Sequence, residues 1–309
     1  MDKISILLAL SGTKQSSTAA QMAWRLSDQL NATVTAQHVV DTYTAWSLLG
    51  NDVPGLIGSG PYVEAYETTC TSLRAIGQKL ALKYESMFGS QKIHSDCIVD
   101  EGNPVAEICR RAADHDMVIM GHRPARAVDR FHGTRISIAE DLANHCPRPL
   151  MVIQDESKVW TKMKILVSAE HLNIGFIVAA IQTAKMLRLS PEIECLATGL
   201  HEQNPEHIIR DLREAYNVLC QVPLGVTVLG AGEHRALWSP NPVTFEMDAS
   251  AETLLAIPTR EVGGKRITIF GSAPSNFVRQ LTLPTVLLCP EENLGRVRAT
   301  ESLELAVQY

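Results

Sequence analysis

At 309 residues the chain has the length of about two domains of roughly 150 residues each, and with 45% hydrophobic residues each half can bury a core. Its formal charge of -6 argues against bulk binding to nucleic acid or to an anionic membrane. No apolar run reaches the roughly 20 residues of a membrane span, the first residues lack a signal-peptide layout, and an odd number of cysteines without a CxxC pair suits reduced thiols, so a cytoplasmic location is expected.

Residues 4–10 form a continuous apolar run broken only by Ser5, as in a strand buried on both faces of a parallel sheet. Ser11-Gly12-Thr13 ends it. Ser16 and Ser17 are candidate N-caps for a helix over residues 17–30, where Ala19, Met22, Ala23, Leu26 and Leu30 recur at helical spacing and Asn31 marks the stop. Residues 32–40 read as a second strand ending at Asp41, which completes a right-handed βαβ unit. Residues 42–61 hold four glycines and two prolines without a clear period, and read as a long loop. Helical spacing resumes over 62–88 through Tyr66, Leu73, Ile76, Leu80, Leu82 and Tyr84. Residues 94–99 predict a third strand, Asp100 to Pro104 a turn with proline opening a short helix over 105–114, and residues 117–120 a fourth strand. A helix ending at His145 and a fifth strand over 149–153 follow. The order is β-α-β-α-β-α-β-α-β.

After a polar linker (154–162) the pattern restarts. Residues 164–169 resemble 5–10, 174–189 the first helix and 192–198 the second strand. A helix over 205–219, a strand over 225–229 and a short helix over 249–256 follow. Arg-Ile-Thr-Ile-Phe-Gly (266–271) matches Asp-Met-Val-Ile-Met-Gly (116–121), and Leu-Pro-Thr-Val-Leu-Leu (283–288) matches Arg-Pro-Leu-Met-Val-Ile (148–153). A repeat of this length is two fused domains: 1–154, then 163–290, then a charged tail over 291–309. On this matching the interval from Gly271 to Pro284 is less than half as long as that from Gly121 to Pro149. The second repeat then lacks the loop of the first.

That loop, residues 120–134, gathers Arg123, Arg126 and Arg130, joined by Arg135, with His122 and His132 between a leading Gly121 and a closing Gly133-Thr134. A strand running into a glycine-opened loop and a helix start presents N–H groups to an anion, and arginine forks stay charged beside a polyphosphate. The plain alternative is a solvated surface loop with partial pairing to Asp129. His94, Cys97, His115, His145 and Cys146 show no zinc-finger spacing, and Cys97, Cys195 and Cys289 read as buried hydrophobes. No GxSxG elbow or Walker A lysine marks catalysis, so no catalytic residue is expected and at most slow ATP hydrolysis. Asp41 reads as a turn or ribose-binding residue.

These residues carry a resemblance. The chain resembles a tandem universal stress protein over nearly its whole length. The resemblance implies an α/β fold of two tandem, doubly wound, five-stranded parallel sheets of order 3-2-1-4-5 with helices on both faces. Ligands in such sheets bind outside the strand ends where the order reverses, here at Leu10-Ser11-Gly12 and Met120-Gly121. ATP-binding members follow the fourth strand with Gly-x-x-Gly, nine residues, then Gly-Ser or Gly-Thr. This chain keeps Gly121, Gly133 and Thr134, but has Pro124 for the second glycine, one residue fewer before Gly133, and Ser11 where the family carries an aspartate. Proline offers no N–H and cannot take positive φ. The resemblance implies a nucleotide site of Ser11, Gly12, Val39, Val40, Asp41, Gly121, His122, Arg123, Gly133, Thr134 and Ser137, with ATP, and magnesium with it, as cofactor.

Single-domain relatives pair through their fifth strands, so a tandem chain is expected to make that pairing within itself, through residues 150–153 and 285–288, with a homodimer of the whole chain left open. The functional expectation is a stress-response or regulatory protein with a degenerate ATP or anion site in the first domain. The alternative is an interaction or signalling adaptor of the same fold that binds an unidentified protein partner and no nucleotide.

Overall fold

A computed structural model of the protein describes residues 3–50, 60–88, 97–123, 137–156, 159–168, 174–198, 222–229, 252–259, 278–279 and 283–291. The chain packs as two compact units, Met1–Gly121 and His122–Tyr309.

The first unit is built on four parallel strands, β1 (Ser5–Leu10), β2 (Thr33–Asp41), β3 (Cys97–Gly102) and β4 (Met117–Gly121), in the order β3-β2-β1-β4. Leu10 stands beside His38, and Ala9 beside Met120. Ile6, Leu7 and Leu8 are fully buried, as are Met117, Val118 and Ile119. These uninterrupted apolar runs are what a sheet covered on both faces requires. Successive side chains of a strand point to opposite faces, and β2 shows which helix covers each. Gln37 Nε2 donates to the carbonyl of Glu107 on α4 (Pro104–Ala112). The next residue, His38, lies under Gly77 of α3 (Gly60–Phe88), where an added Cβ would sit 2.9 Å from the ring. So α3 and α4 lie on opposite faces. The first helix, α1 (Lys14–Leu30), shares the α3 face, and Trp24 meets Tyr84 with ring centroids 6.2 Å apart.

Three sequence expectations change here. The N-cap of α1 is Thr13, whose side chain accepts from the Ser16 N–H, so the helix begins at Lys14 rather than near residue 17. Ser16 is buried instead, and its hydroxyl accepts from the Ser11 N–H at 2.9 Å. The expected loop begins with a helix, α2 (Thr42–Gly50), capped by Asp41, whose carboxylate accepts from the Thr44 N–H. The third strand runs to Gly102, so Asp100 and Glu101 belong to it rather than to the turn. The stops were legible: Asn31 closes α1 in the left-handed conformation that asparagine tolerates, and Asn103 with Pro104 opens α4.

The second unit begins with α5 (Ile138–His145) and β5 (Leu150–Ile153) and continues through β6 (Lys162–Ser168), α6 (Ile174–Met186), β7 (Ser190–Thr198), β8 (Leu224–Leu229), β9 (Thr253–Pro258) and β10 (Thr285–Cys289). Its strand order is β5-β10-β9-β6-β7-β8. Counted within the second repeat, β6 to β10 take the expected order 3-2-1-4-5, all parallel. The strand expected at 266–271 and the helix at 205–219 lie outside the described residues. The fourth-strand place, between β6 and β10, is held by β9, over residues expected to end a short helix. The reason is uniform burial. Leu254, Leu255, Ala256 and Ile257 are all within 3% of full burial, so the run has no two-residue period to read. With β9 in this place, the interval from Pro258 to Pro284 is nearly as long as that from Gly121 to Pro149, and it holds Arg260, Lys265 and Arg266 besides Arg279. The length argument for a loop missing from the second repeat therefore falls.

The expected internal pairing is present. Strands β5 and β10 run antiparallel, with Thr285 opposite Ile153 and Leu288 opposite Leu150. Every residue of both strands is buried. Replacing Leu287, fully buried in this pairing, by alanine should cost about 2–5 kcal/mol. Urea unfolding checks this, and a loss under 1 kcal/mol would mean that the pairing is not packed as described.

Candidate functional site

Where β1 ends, the backbone turns through Ser11 and Gly12 into the first turn of α1. The Ser11 and Thr13 hydroxyls lie 2.9 Å apart. This turn opens on a cavity of about 180 Å³ lined by Leu10, Ser11, Gly12, Thr13, Ser16 and Ser17, with Lys83 and Tyr84 of α3 across from them. The cavity joins three features that suit an anion: hydroxyl donors, a helix N-terminus with its partial positive charge and one lysine. Two donors are already engaged, because the Ser11 N–H bonds Ser16 Oγ and the Ser16 N–H bonds Thr13 Oγ1.

The other expected residues of this unit take structural positions. Val40 is buried with Gly77 of α3 against it, and Val39 is half-buried. Asp41 spends a carboxylate oxygen on capping α2. Gly121 is a close-approach glycine: a Cβ there would run into the backbone of Gln15 and Ser16. Its lack of a side chain is what lets α1 settle on the end of β4.

In the second unit, His122 is 3% exposed and its N–H donates to the Ile153 carbonyl at 2.8 Å. The ring hydrogen-bonds the Val278 backbone, and Nε2 has no partner among the described residues. Burial pushes the His122 pKa below its ordinary value, against opposing pulls from Glu140 and the Val278 bond. Arg123 is exposed. Ser137 is the N-cap of α5. Its hydroxyl accepts from the Glu140 N–H and donates to Glu140 Oε1, so the Ser-x-x-Glu spacing of a capping box is present and the carboxylate meets the cap's hydroxyl. The Glu140 side chain, 3% exposed, also receives both Nε and Nη2 of Arg279 at 2.8 Å. Gly133 and Thr134, with Pro124 and Arg126 to Arg135, lie outside the described residues.

Among the described residues no group of three His, Cys, Asp or Glu could hold a metal ion. Burial raises the Cys97 and Cys195 thiols to about 11 and Cys289 to about 12. All three therefore stay protonated at neutral pH; Cys195 and Cys289 are buried as expected, whereas Cys97 is only half-buried. No helix among the described residues is long and apolar enough to cross a membrane. Lys83 was not singled out from sequence. Its only signal is position, on the helical face shared by Leu80, Tyr84 and Met87.

Residues 5–154 match the model of the universal stress protein family. The first repeat is a domain of that family. A universal stress protein from Archaeoglobus fulgidus DSM 4304 is similar in structure, with a TM-score of 0.58 at 15% identity over 93% of this chain and 96% of that one. A putative universal stress protein from Pseudomonas aeruginosa UCBPP-PA14 aligns with a TM-score of 0.52 at 12% identity, over 98% of both chains. At these identities the likeness shows the fold alone. It extends over both repeats, as a tandem universal stress protein requires. No curated protein matches the chain.

Two outcomes follow. Gly121→Ala should destabilise this universal stress protein by about 1–3 kcal/mol, read as a lower thermal midpoint, because only backbone movement can make room; an unchanged midpoint would contradict the close packing. His122 has a folded pKa below its unfolded value of about 6.5. It therefore contributes stability that is present above that value and lost as pH falls through it. Denaturation between pH 7 and 5 should show a steeper loss in the wild type than in His122→Gln. Equal slopes would place His122 in contact with solvent.

Proposed function

We propose that this universal stress protein acts in a stress response and that its first repeat binds a phosphate-bearing anion, an adenine nucleotide by the family resemblance, at the carboxyl end of β1. The observation that carries the reading is the cavity where Ser11, Gly12, Thr13 and the start of α1 meet Lys83. Doubly wound sheets bind ligands at this end of their strands. Size refines the reading. At about 180 Å³ the cavity is smaller than the roughly 300–1,000 Å³ of pockets that enclose a whole ligand. It takes one end of a nucleotide, with Val39 near the adenine by the family resemblance. A helix N-terminus contributes only about 0.3–1 kcal/mol toward one exposed anion, so Lys83 supplies most of the attraction. Magnesium would accompany ATP. No catalytic residue is assigned.

Calorimetric titration with ATP and AMP, with and without magnesium, tests this. One site per chain is expected, with affinity lowered about tenfold in Lys83→Gln, the loss of roughly one charge-assisted contact. Absence of heat at millimolar nucleotide would overturn the reading. Unchanged affinity in Lys83→Gln would remove the cavity from it.

A further inference from the structure

The cavity at the end of β1 has an apolar lining that an anion alone does not use. Leu80, Tyr84 and Met87 follow one another along α3 at i, i+4 and i+7, so they share one face of the helix. Leu10 and Ala20 join them from β1 and α1. Tyr84 is 4% exposed and its ring is braced by Trp24, which fixes this part of the lining. Met87 is different, a large apolar side chain left 47% exposed at the cavity. Ser11, Thr13, Ser17 and Lys83 line the same space. We propose that the cavity takes a small amphiphilic carboxylate, with one anionic head for the hydroxyls and Lys83 and an apolar body the size of a single ring.

Size and charge set this class. An apolar cavity of roughly 150 Å³ encloses benzene. At about 180 Å³ this one holds a ring and little more than its anionic head. Lys83 is exposed and, among the described residues, pairs with no acid. It is the one cation in the lining, so it balances one charge. A carboxylate carries one charge at neutral pH, whereas a phosphate monoester carries about two. Ser11 favours the same ligand. An aspartate, which the family resemblance implies at this place, would repel a carboxylate, and serine offers a hydroxyl instead. Asp41, the carboxylate at the end of β2, is occupied with the Thr44 N–H. The assignment rests on the anion reading proposed above and says which anion the cavity suits best. Such a ligand takes the place of one end of a nucleotide, so the two compete.

Backbone amide chemical shifts of the full chain, titrated separately with benzoate, acetate, benzyl alcohol and magnesium ATP, test this. Benzoate should shift the amides of Ser11 to Ser17 and of Leu80 to Met87. It should bind at least about tenfold tighter than acetate, which lacks the ring, and tighter than benzyl alcohol, which lacks the charge. Lys83→Gln should weaken benzoate and acetate alike, by about tenfold. Met87→Gln keeps the side-chain length at an exposed position, so folding is not at stake. It should weaken benzoate about threefold and leave acetate unchanged. Where ATP binds, benzoate should displace it. Benzoate no tighter than acetate, shifts confined to other residues, or equal losses for both acids in Met87→Gln would overturn the inference even if ATP binds. Binding of benzoate without any response to ATP would remove the nucleotide from the cavity and leave the carboxylate in place.

Discussion

The antiparallel pairing of β5 with β10 is the contact that the second unit is arranged around. Leu150, Met151, Val152 and Ile153 are all at 0% exposure, and a strand this apolar, left with an open row of N–H and C=O groups, would template association with another chain. Strand β10 closes that row from within the same molecule. It follows Pro284, whose carbonyl accepts from the N–H groups of Gln154 and Asp155, so the pairing continues past the end of β5. The short helical segment Val278–Arg279 precedes β10 by a few residues. With β10 fixed on β5, that segment has a defined place beside α5 and His122. The Glu140–Arg279 ion pair is thus a consequence of strand pairing between residues far apart in sequence.

The parallel strands were legible because burial on both faces leaves a plain signature in composition. The same signature failed at β9, where a run of uniformly buried residues suits a helix as well as a strand, and the error moved the inferred start of the following interval. The start of α1 was misread because Thr13, Ser16 and Ser17 are all competent caps. Local sequence does not say that Ser16 will be drawn inward to hold the Ser11 N–H. Gly121 was legible as the glycine that opens the loop, but the contact that demands its lack of a side chain is the backbone of Gln15 and Ser16, which no spacing rule shows. Arg279 and Glu140 lie 139 residues apart, so their pairing exists only once the second repeat has folded against β5.

The cavity at the end of β1 differs from the nucleotide cradle that the family resemblance implies. Ser11 stands where the family resemblance expects an aspartate, and its N–H is spent on Ser16. Asp41, at the end of β2, is spent on α2. What remains directed at a ligand is a small cavity with hydroxyls and Lys83. On the opposite face of the sheet, Gln37, Asp100 and Arg111 form a separate polar network, with both Arg111 Nε and Nη2 on the Asp100 carboxylate. That network ties α4 to β2 and β3 and leaves the α1 and α3 face to carry the cavity. The proposed function of this chain therefore depends on which backbone and hydroxyl groups the fold has left unspent.

The central claim is that β5 is closed by β10 of the same chain. Residue-resolved amide exchange on the whole protein under native conditions tests it most directly. The account predicts that the amides of β5 and β10 engaged in their mutual ladder exchange only through global unfolding, at the slowest rates in the second unit and independently of protein concentration. Fast exchange of those amides, or protection that appears only as concentration rises, would show β5 to be an open edge or paired with another molecule, and would contradict the account.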